Sequence, residues 1–244
     1  MIVLPSFSSG ISNSLFKPSN IPNLVLWLDA GNIGSYSSTG TEWKDLSGNN
    51  RHFNWSTTPS FINDGVRSYF TTLGNRCTGP ASNSFGIDNT SGYTIFLICM
   101  QNTLNNTGAF KFYRAGQIGS VGRGIFSHCT WGNDIVYFDQ GGCCGSDTRT
   151  QNASGGSQTW NIWTFRRFTN SSTRSISKNG ATLTTNTDSA ATIDLDNRAV
   201  DVGGADEYVG TWDARLNSFY VYNRGLSDDE ILQNYKGLKG RFNL

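Results

Sequence analysis

Retaining glycoside hydrolysis needs two carboxyl groups about 5 Å apart on one sheet face. The chain contains only three glutamates, Glu42, Glu207 and Glu230. None sits in a strand-like run with a second acid on the same face. Asp194 and Asp196 alternate in Ile193-Asp194-Leu195-Asp196, but the surrounding residues are polar and irregular, which reads as a solvated loop. A serine or cysteine nucleophile would need a positioned base. The histidines are His52 and His128, and His128 is followed by Cys129. Adjacent residues of a strand point to opposite faces, so that pair is not a dyad. No G-x-S-x-G elbow is present. The glycine-rich Gly119–Gly124 lacks the Lys-Ser/Thr pair and the following helix of a phosphate loop. The expectation from these residues is a protein that is not an enzyme and requires no cofactor.

The five cysteines are Cys77, Cys99, Cys129, Cys143 and Cys144. Cys99 lies in an apolar run and reads as a small buried hydrophobe. Adjacent cysteines make a strained bond with each other, so Cys143 and Cys144 are expected to pair, if at all, with Cys129 or Cys77. No C-x-x-C or Cys/His spacing suggests zinc. Glycan binding would use an aromatic platform beside polar loops, for which Trp55, Trp131, Tyr208 and Trp212 are the candidates.

The elements that would position such residues read as strands. The chain has 244 residues, 36% hydrophobic and 15% charged, with 28 glycines. Seven Trp, nine Tyr and fifteen Phe are enough to fill a core. Tyr93 to Met100 is the clearest buried strand, and Asn179-Gly180 between two strand-like runs signals a hairpin. Residues 74 to 91 and 140 to 158 read as loops by composition. Leu216 to Tyr222 is a strand. Ser227 and Glu230 then form a capping box, flanked by Leu226 and Ile231, with Gly237 as the expected stop. Nothing alternates strand with helix, so the fold is expected to be all-β: two antiparallel sheets face to face, with one short C-terminal helix. The net charge of +1 points to neither nucleic acid nor anionic membrane. No run reaches the ~18 apolar residues of a membrane span.

Two motifs carry a resemblance. Leu24-Val25-Leu26-Trp27-Leu28-Asp29-Ala30, followed by Trp43-Lys44-Asp45-Leu46-Ser47-Gly48-Asn49-Asn50, lies near one end. Val221-Tyr222-Asn223-Arg224, Leu226-Ser227 and Glu230-Ile231 lie near the other. Together they resemble the laminin-G-like domains of the concanavalin A-like lectin/glucanase superfamily, over about Ile21 to Arg241. Ser218 departs from the pattern, where relatives often carry an acid. The resemblance implies a concanavalin A-like jelly roll over residues 21–244. It implies a rim Ca²⁺ site, for which Asp134, Asp139, Asp206 and Asp213 are the candidates, because hard oxygen ligands suit that ion. With the tail Lys239-Gly240-Arg241-Phe242, it also resembles structural proteins of phages and large DNA viruses.

Residues 1–20 are rich in Ser and Asn and read as an arm. Ile2, Val3, Leu4, Phe7 and Phe16 carry more apolar surface than a solvated tail tolerates. The arm is expected either to fold back along its own sandwich or, the sharper reading, to dock on another chain, a capsid or tail protein or a second copy of this one. A chain beginning at Pro22 is expected to fold unaided. Met1 to Asn20 lacks the charged start and apolar core of a secretory leader. Two functions follow. One is a virion decoration protein at the particle surface, anchored by its arm and binding host glycans. The other is a free carbohydrate-binding module or adhesin, outside the cell or at its surface.

Overall fold

The computed structural model describes residues 16–153, 155–188, 192–204 and 212–244. The first strands are β1 (Leu24–Asp29), β2 (Glu42–Trp43), β3 (Phe53–Trp55), β4 (Ser60–Asn63), β5 (Ser68–Thr71) and β6 (Cys77–Ala81). Next come β7 (Tyr93–Gln101), β8 (Phe110–Tyr113), β9 (Arg123–His128), β10 (Val136–Gln140) and β11 (Arg149–Asn152). Then follow β12 (Asn161–Arg167), β13 (Arg174–Lys178), β14 (Ala181–Asn186), β15 (Ala199–Val202) and β16 (Ala214–Tyr222). The helix α1 (Asp228–Leu238) closes the order.

The strands form two antiparallel sheets. The first runs β14-β13-β12-β7-β16-β5-β4, with β1 also paired to β16. The second runs β11-β10-β9-β8-β15-β6-β3-β2. The inner faces meet in a core that includes Trp43, Phe70, Phe110, Phe138, Phe165, Trp212 and Phe219. Strand β7 is buried on both faces because β12 and β16 flank it and layers cover it above and below, so its sequence reads as a continuous apolar run. Asn179 and Gly180 both take positive φ, as the tight turn between β13 and β14 requires.

The outer face of the first sheet is covered by the two ends of the described chain. Ile231 and Leu238 of α1 pack with Ile21, Phe96, Trp160, Tyr222 and Phe242. The Ser227 hydroxyl accepts from the Glu230 amide at 3.2 Å, and Glu230 Oε2 accepts from the Ser227 amide at 2.8 Å. Arg224 forks the same carboxylate at 2.6 and 2.9 Å, which holds the Glu230 carboxyl down at about 2. The helix does not stop at Gly237. An added Cβ there would lie 2.2 Å from the Phe16 ring, so the glycine makes room for that ring instead.

This placement corrects the expected arm boundary. Phe16 packs on the domain's own helix, Pro18 and Ile21 are buried, and the Tyr222 hydroxyl donates to the Pro18 carbonyl at 2.9 Å. Ile2, Val3, Leu4 and Phe7 lie outside the described residues.

Two stretches that read as loops contain strands. β6 includes Gly79 and Pro80, which look like turn residues. A Cβ on Gly79 would lie 2.2 Å from the buried Phe53 ring, so the strand needs a glycine at that point. β11 is polar because of the face it presents, described next.

Candidate functional site

Period-two alternation divides the second sheet into an apolar inner face and a polar outer one. Ile125, Val136 and Phe138 belong to the core. Cross-strand partners share a face, and the register draws one row across the whole outer side. It runs Arg149, Asp139, Phe126, Lys111, Asp201, Thr78, Asn54 and Glu42, one residue from each of the eight strands. A second row begins Gln151, Tyr137, His128. Although they face away from the core, Asp139, Phe126 and Lys111 are fully buried and Asp201 nearly so. A buried polar layer therefore lies outside the sheet, and buried charges require partners.

The partners are specific. Asp139 takes Arg123 Nη1 at 2.5 Å on Oδ2 and the Arg149 fork at 2.6 and 2.7 Å on both oxygens. Asp201 accepts from Arg76 Nη1 at 3.3 Å, Thr78 Oγ1 at 3.1 Å and the Tyr113 hydroxyl. Lys111 Nζ donates to the Gly119 carbonyl at 3.0 Å. The Arg123 guanidinium lies 4.1 Å from the Phe126 ring centre, and that of Arg149 lies 4.4 Å from Tyr137. One carboxylate thus orients two guanidiniums, and two rings support them.

Of these groups Arg123, Tyr137 and Arg149 border a cavity of about 270 Å³, lined also by Ser120, His128, Trp131, Cys143 and Cys144. Trp131 is half-buried and reaches the cavity from the turn between β9 and β10. Its amide donates to the Ile135 carbonyl and its carbonyl accepts from the Asp134 amide, so the turn is closed from both sides. A second cavity of about 330 Å³, lined by Cys144, Gly145, Ser146, Arg149, Gln151 and Asn186, adjoins the first across Cys144 and Arg149. Among the described residues the cavity walls carry no carboxylate side chain.

Cys143 and Cys144 form a disulfide with each other, which corrects the expected pairing. Cys77 and Cys129 are free and buried in the core, out of reach of the β10–β11 loop. That loop is held against the start of β9 by Gly141 and Gly142, whose amides donate to the Gly124 and Arg123 carbonyls.

His128 packs edge-on to Trp131 at 4.4 Å, and its Nδ1 contacts the Thr107 carbonyl. Burial first, then the Arg123 and Arg149 charges, push its pKa down to about 3. A base with a lowered folded pKa stabilises the fold while neutral. Stability is then fully present above the unfolded value near 6.5 and falls as pH drops toward 3. Between those limits the slope is about 1.4 kcal/mol per pH unit for this one group. We expect His128→Gln to flatten the dependence between pH 6.5 and 4.5 by roughly that slope, as read by urea unfolding at several pH values. An unchanged slope would mean that the ring is not held neutral.

The other expected site residues fall elsewhere. Trp55 and Trp212 are core residues, 3% and 0% exposed, and Trp55 stacks on Trp43 at 6.0 Å. Neither is a platform, because a ring enclosed on both faces has none to offer a ligand. Tyr208 and Asp206 lie outside the described residues. Asp134 accepts from Thr130 and Ser157, and Asp213 accepts from Asn102 and Thr103. These two and Asp139 are spent in separate places. Among the described residues no three His, Cys, Asp or Glu side chains converge on one point. Period two along Val136–Gln140 could have found Tyr137 and Asp139 together. Nothing local marks Arg123 or Arg149.

No family model and no curated protein matches this chain. Solved structures do share its fold. Trypanosoma rangeli sialidase superposes with a TM-score of 0.64 at 14% identity, over 88% of this chain and 33% of that one. The binding domain of Paraclostridial Mosquitocidal Protein 1 gives 0.64 at 15% identity, over 90% and 52%. The receptor binding domain of botulinum neurotoxin C/D mosaic serotype gives 0.63 at 12%, over 88% and 51%. This chain thus spans a third to about half of those chains. The architecture they share is a two-sheet antiparallel β-sandwich.

The likeness also corrects the expectation that the chain is not an enzyme. The sialidase, and a mutant of it displaying trans-sialidase activity, are enzymes whose structures share this fold. Fold and a missing carboxylate pattern in the sequence therefore do not exclude catalysis.

Proposed function

We propose that this domain binds carbohydrate in the cavity between the β9–β10 turn and the β10–β11 loop. The observation that carries the reading is the convergence of Trp131, Tyr137 and His128 with the guanidiniums of Arg123 and Arg149 on one surface cavity. A sugar ring has an apolar C–H face that packs on aromatic rings and hydroxyls that accept from charged donors. Here the donors are fixed in advance by Asp139, which lowers the ordering cost of binding. The fold likeness to a sialidase and to toxin binding domains supports the same reading. A disulfide at the rim fits an oxidising location outside the cell or at its surface. The arm residues expected to carry virion attachment are Ile2, Val3, Leu4 and Phe7, which lie outside the described residues, and Phe16, which packs on this domain.

The test is retention on a panel of immobilised glycans, followed by titration of the best ligand. Trp131→Ala is expected to weaken binding at least tenfold, about 1.4 kcal/mol, at temperatures where the protein remains folded. Equal binding by Trp131→Ala, or no retention of the folded protein by any glycan, would overturn the reading.

A further inference from the structure

We propose that the Cys143–Cys144 bond is a thiol-exchange site with a fixed polarity, in which an external thiol attacks Cys144 and Cys143 leaves. Two independent observations set the direction. The first is access: Cys144 is exposed and borders both cavities, whereas Cys143 is half-buried and borders only the first. The second is charge. Arg123 Nη1 lies 3.3 Å from Cys143 Sγ and Arg149 Nη2 lies 3.8 Å from it. Nearby guanidiniums stabilise a thiolate, and a more acidic thiol leaves faster in exchange.

The thiolate of an incoming thiol forms a bond to Cys144 Sγ as the Cys143–Cys144 bond breaks. The bonding pair departs on Cys143 Sγ, where the two guanidiniums receive it as a thiolate. With one equivalent of a monothiol the product is a mixed disulfide on Cys144; a second equivalent displaces Cys144 in turn, leaving two protein thiols and the reagent's disulfide. With a dithiol, the second thiolate of the reagent displaces Cys144. The protein then holds two thiols, having gained two electrons and two protons, and the reagent becomes a disulfide. The other cysteines are poorly placed to compete. Cys77, Cys99 and Cys129 are buried, and burial pushes their thiols up, that of Cys129 to about 12.

An adduct on Cys144 would stand between the two cavities and obstruct both, so exchange would gate the ligand site. That consequence rests on the carbohydrate reading; the exchange itself does not.

The experiment treats the native protein briefly with one equivalent of 2-mercaptoethanol, so that the first exchange step is trapped, quenches with excess iodoacetamide and maps the products by peptide mass. The expected result is the mercaptoethanol adduct on Cys144 and carbamidomethyl on Cys143, with Cys77, Cys99 and Cys129 unlabelled. In urea the two sulfurs should be attacked about equally. Arg149→Gln, near the surface, is expected to slow native exchange about tenfold at pH 7 by removing part of the charge that favours the leaving thiolate. An adduct on Cys143, equal partition in the native protein, or an unchanged rate in Arg149→Gln would overturn the proposal. Glycan binding measured on the trapped adduct is a separate readout. If exchange follows this polarity yet no glycan binds the untreated protein, only the carbohydrate reading fails.

Discussion

Asp139→Ala is expected to cost about 3–5 kcal/mol, the range for removing one partner of a buried ion pair. The carboxylate is fully buried and shared between Arg123, itself 3% exposed, and Arg149. Its loss leaves two guanidiniums facing each other across the gap, so repulsion adds to the lost attraction. At roughly 2–4 °C per kcal/mol for a domain of this size, the melting temperature should fall by about 6–20 °C. Asp139→Asn keeps the shape but not the charge and should fall between wild type and Asp139→Ala. Arg149→Ala removes the more exposed partner and leaves the Arg123 pair in place, so it should cost less than either. Thermal or urea unfolding of the three variants gives the order. A loss below about 1 kcal/mol for Asp139→Ala, the scale of a surface pair, would show that the layer is solvated and not preorganised. Sugar binding should fall with Asp139→Ala at temperatures where the protein remains folded, because the same carboxylate orients both donors at the cavity.

The features legible in the sequence were those whose causes are local. The apolar run of β7, the Asn179-Gly180 turn and the Ser227–Glu230 capping box each depend on a few consecutive residues. The two motifs behind the family resemblance also have structural causes. Asp45 accepts from the amides of Trp27, Ser47 and Arg51 and so ties the Trp43–Asn50 turn to β1. Asp29 of the first motif receives both arms of Arg241 from the C-terminal tail at 2.7 and 2.8 Å. The two ends of the sequence pattern therefore meet in one ion pair.

The candidate site was less legible because its sheet has no apolar outer face. A strand such as Arg149–Asn152 that sets an arginine against a buried carboxylate has the composition of a loop, and hydrophobic periodicity cannot distinguish the two. The row from Arg149 to Glu42 joins residues more than a hundred positions apart, so only strand order reveals it. The aromatic candidates failed for the converse reason. Trp55, Trp131 and Trp212 are chemically equivalent in the sequence, and only the packing of Trp43 and Phe70 on Trp55 shows which ring is enclosed.

The same long-range packing changes the expected behaviour of the N-terminal segment. Removing residues 1–21 is expected to destabilise the domain by about 3 kcal/mol or more. Ile21 is 2% exposed, and a fully buried side chain of that size contributes about 1.5–3 kcal/mol. Phe16 and Pro18 add to this, since Phe16 lies over Gly237 and the Pro18 carbonyl accepts from Tyr222. Tyr222 also reaches Asn234 at 3.2 Å, so its hydroxyl keeps a partner after truncation and the loss is mainly apolar. Two truncations separate the contributions. A chain beginning at Phe16 should melt close to the full-length protein, because it keeps every N-terminal contact described above. A chain beginning at Pro22 should melt several degrees lower, on the order of 6–12 °C for a loss of about 3 kcal/mol. If the second chain melts with the first, Phe16–Ile21 rests on the sheet without stabilising it, and the boundary near residue 21 stands. If the first chain already melts well below the full-length protein, residues before Phe16 also belong to the packed domain. In that case Ile2, Val3, Leu4 and Phe7 bury their surface against this chain, and the apolar residues of the arm need no second protein to cover them.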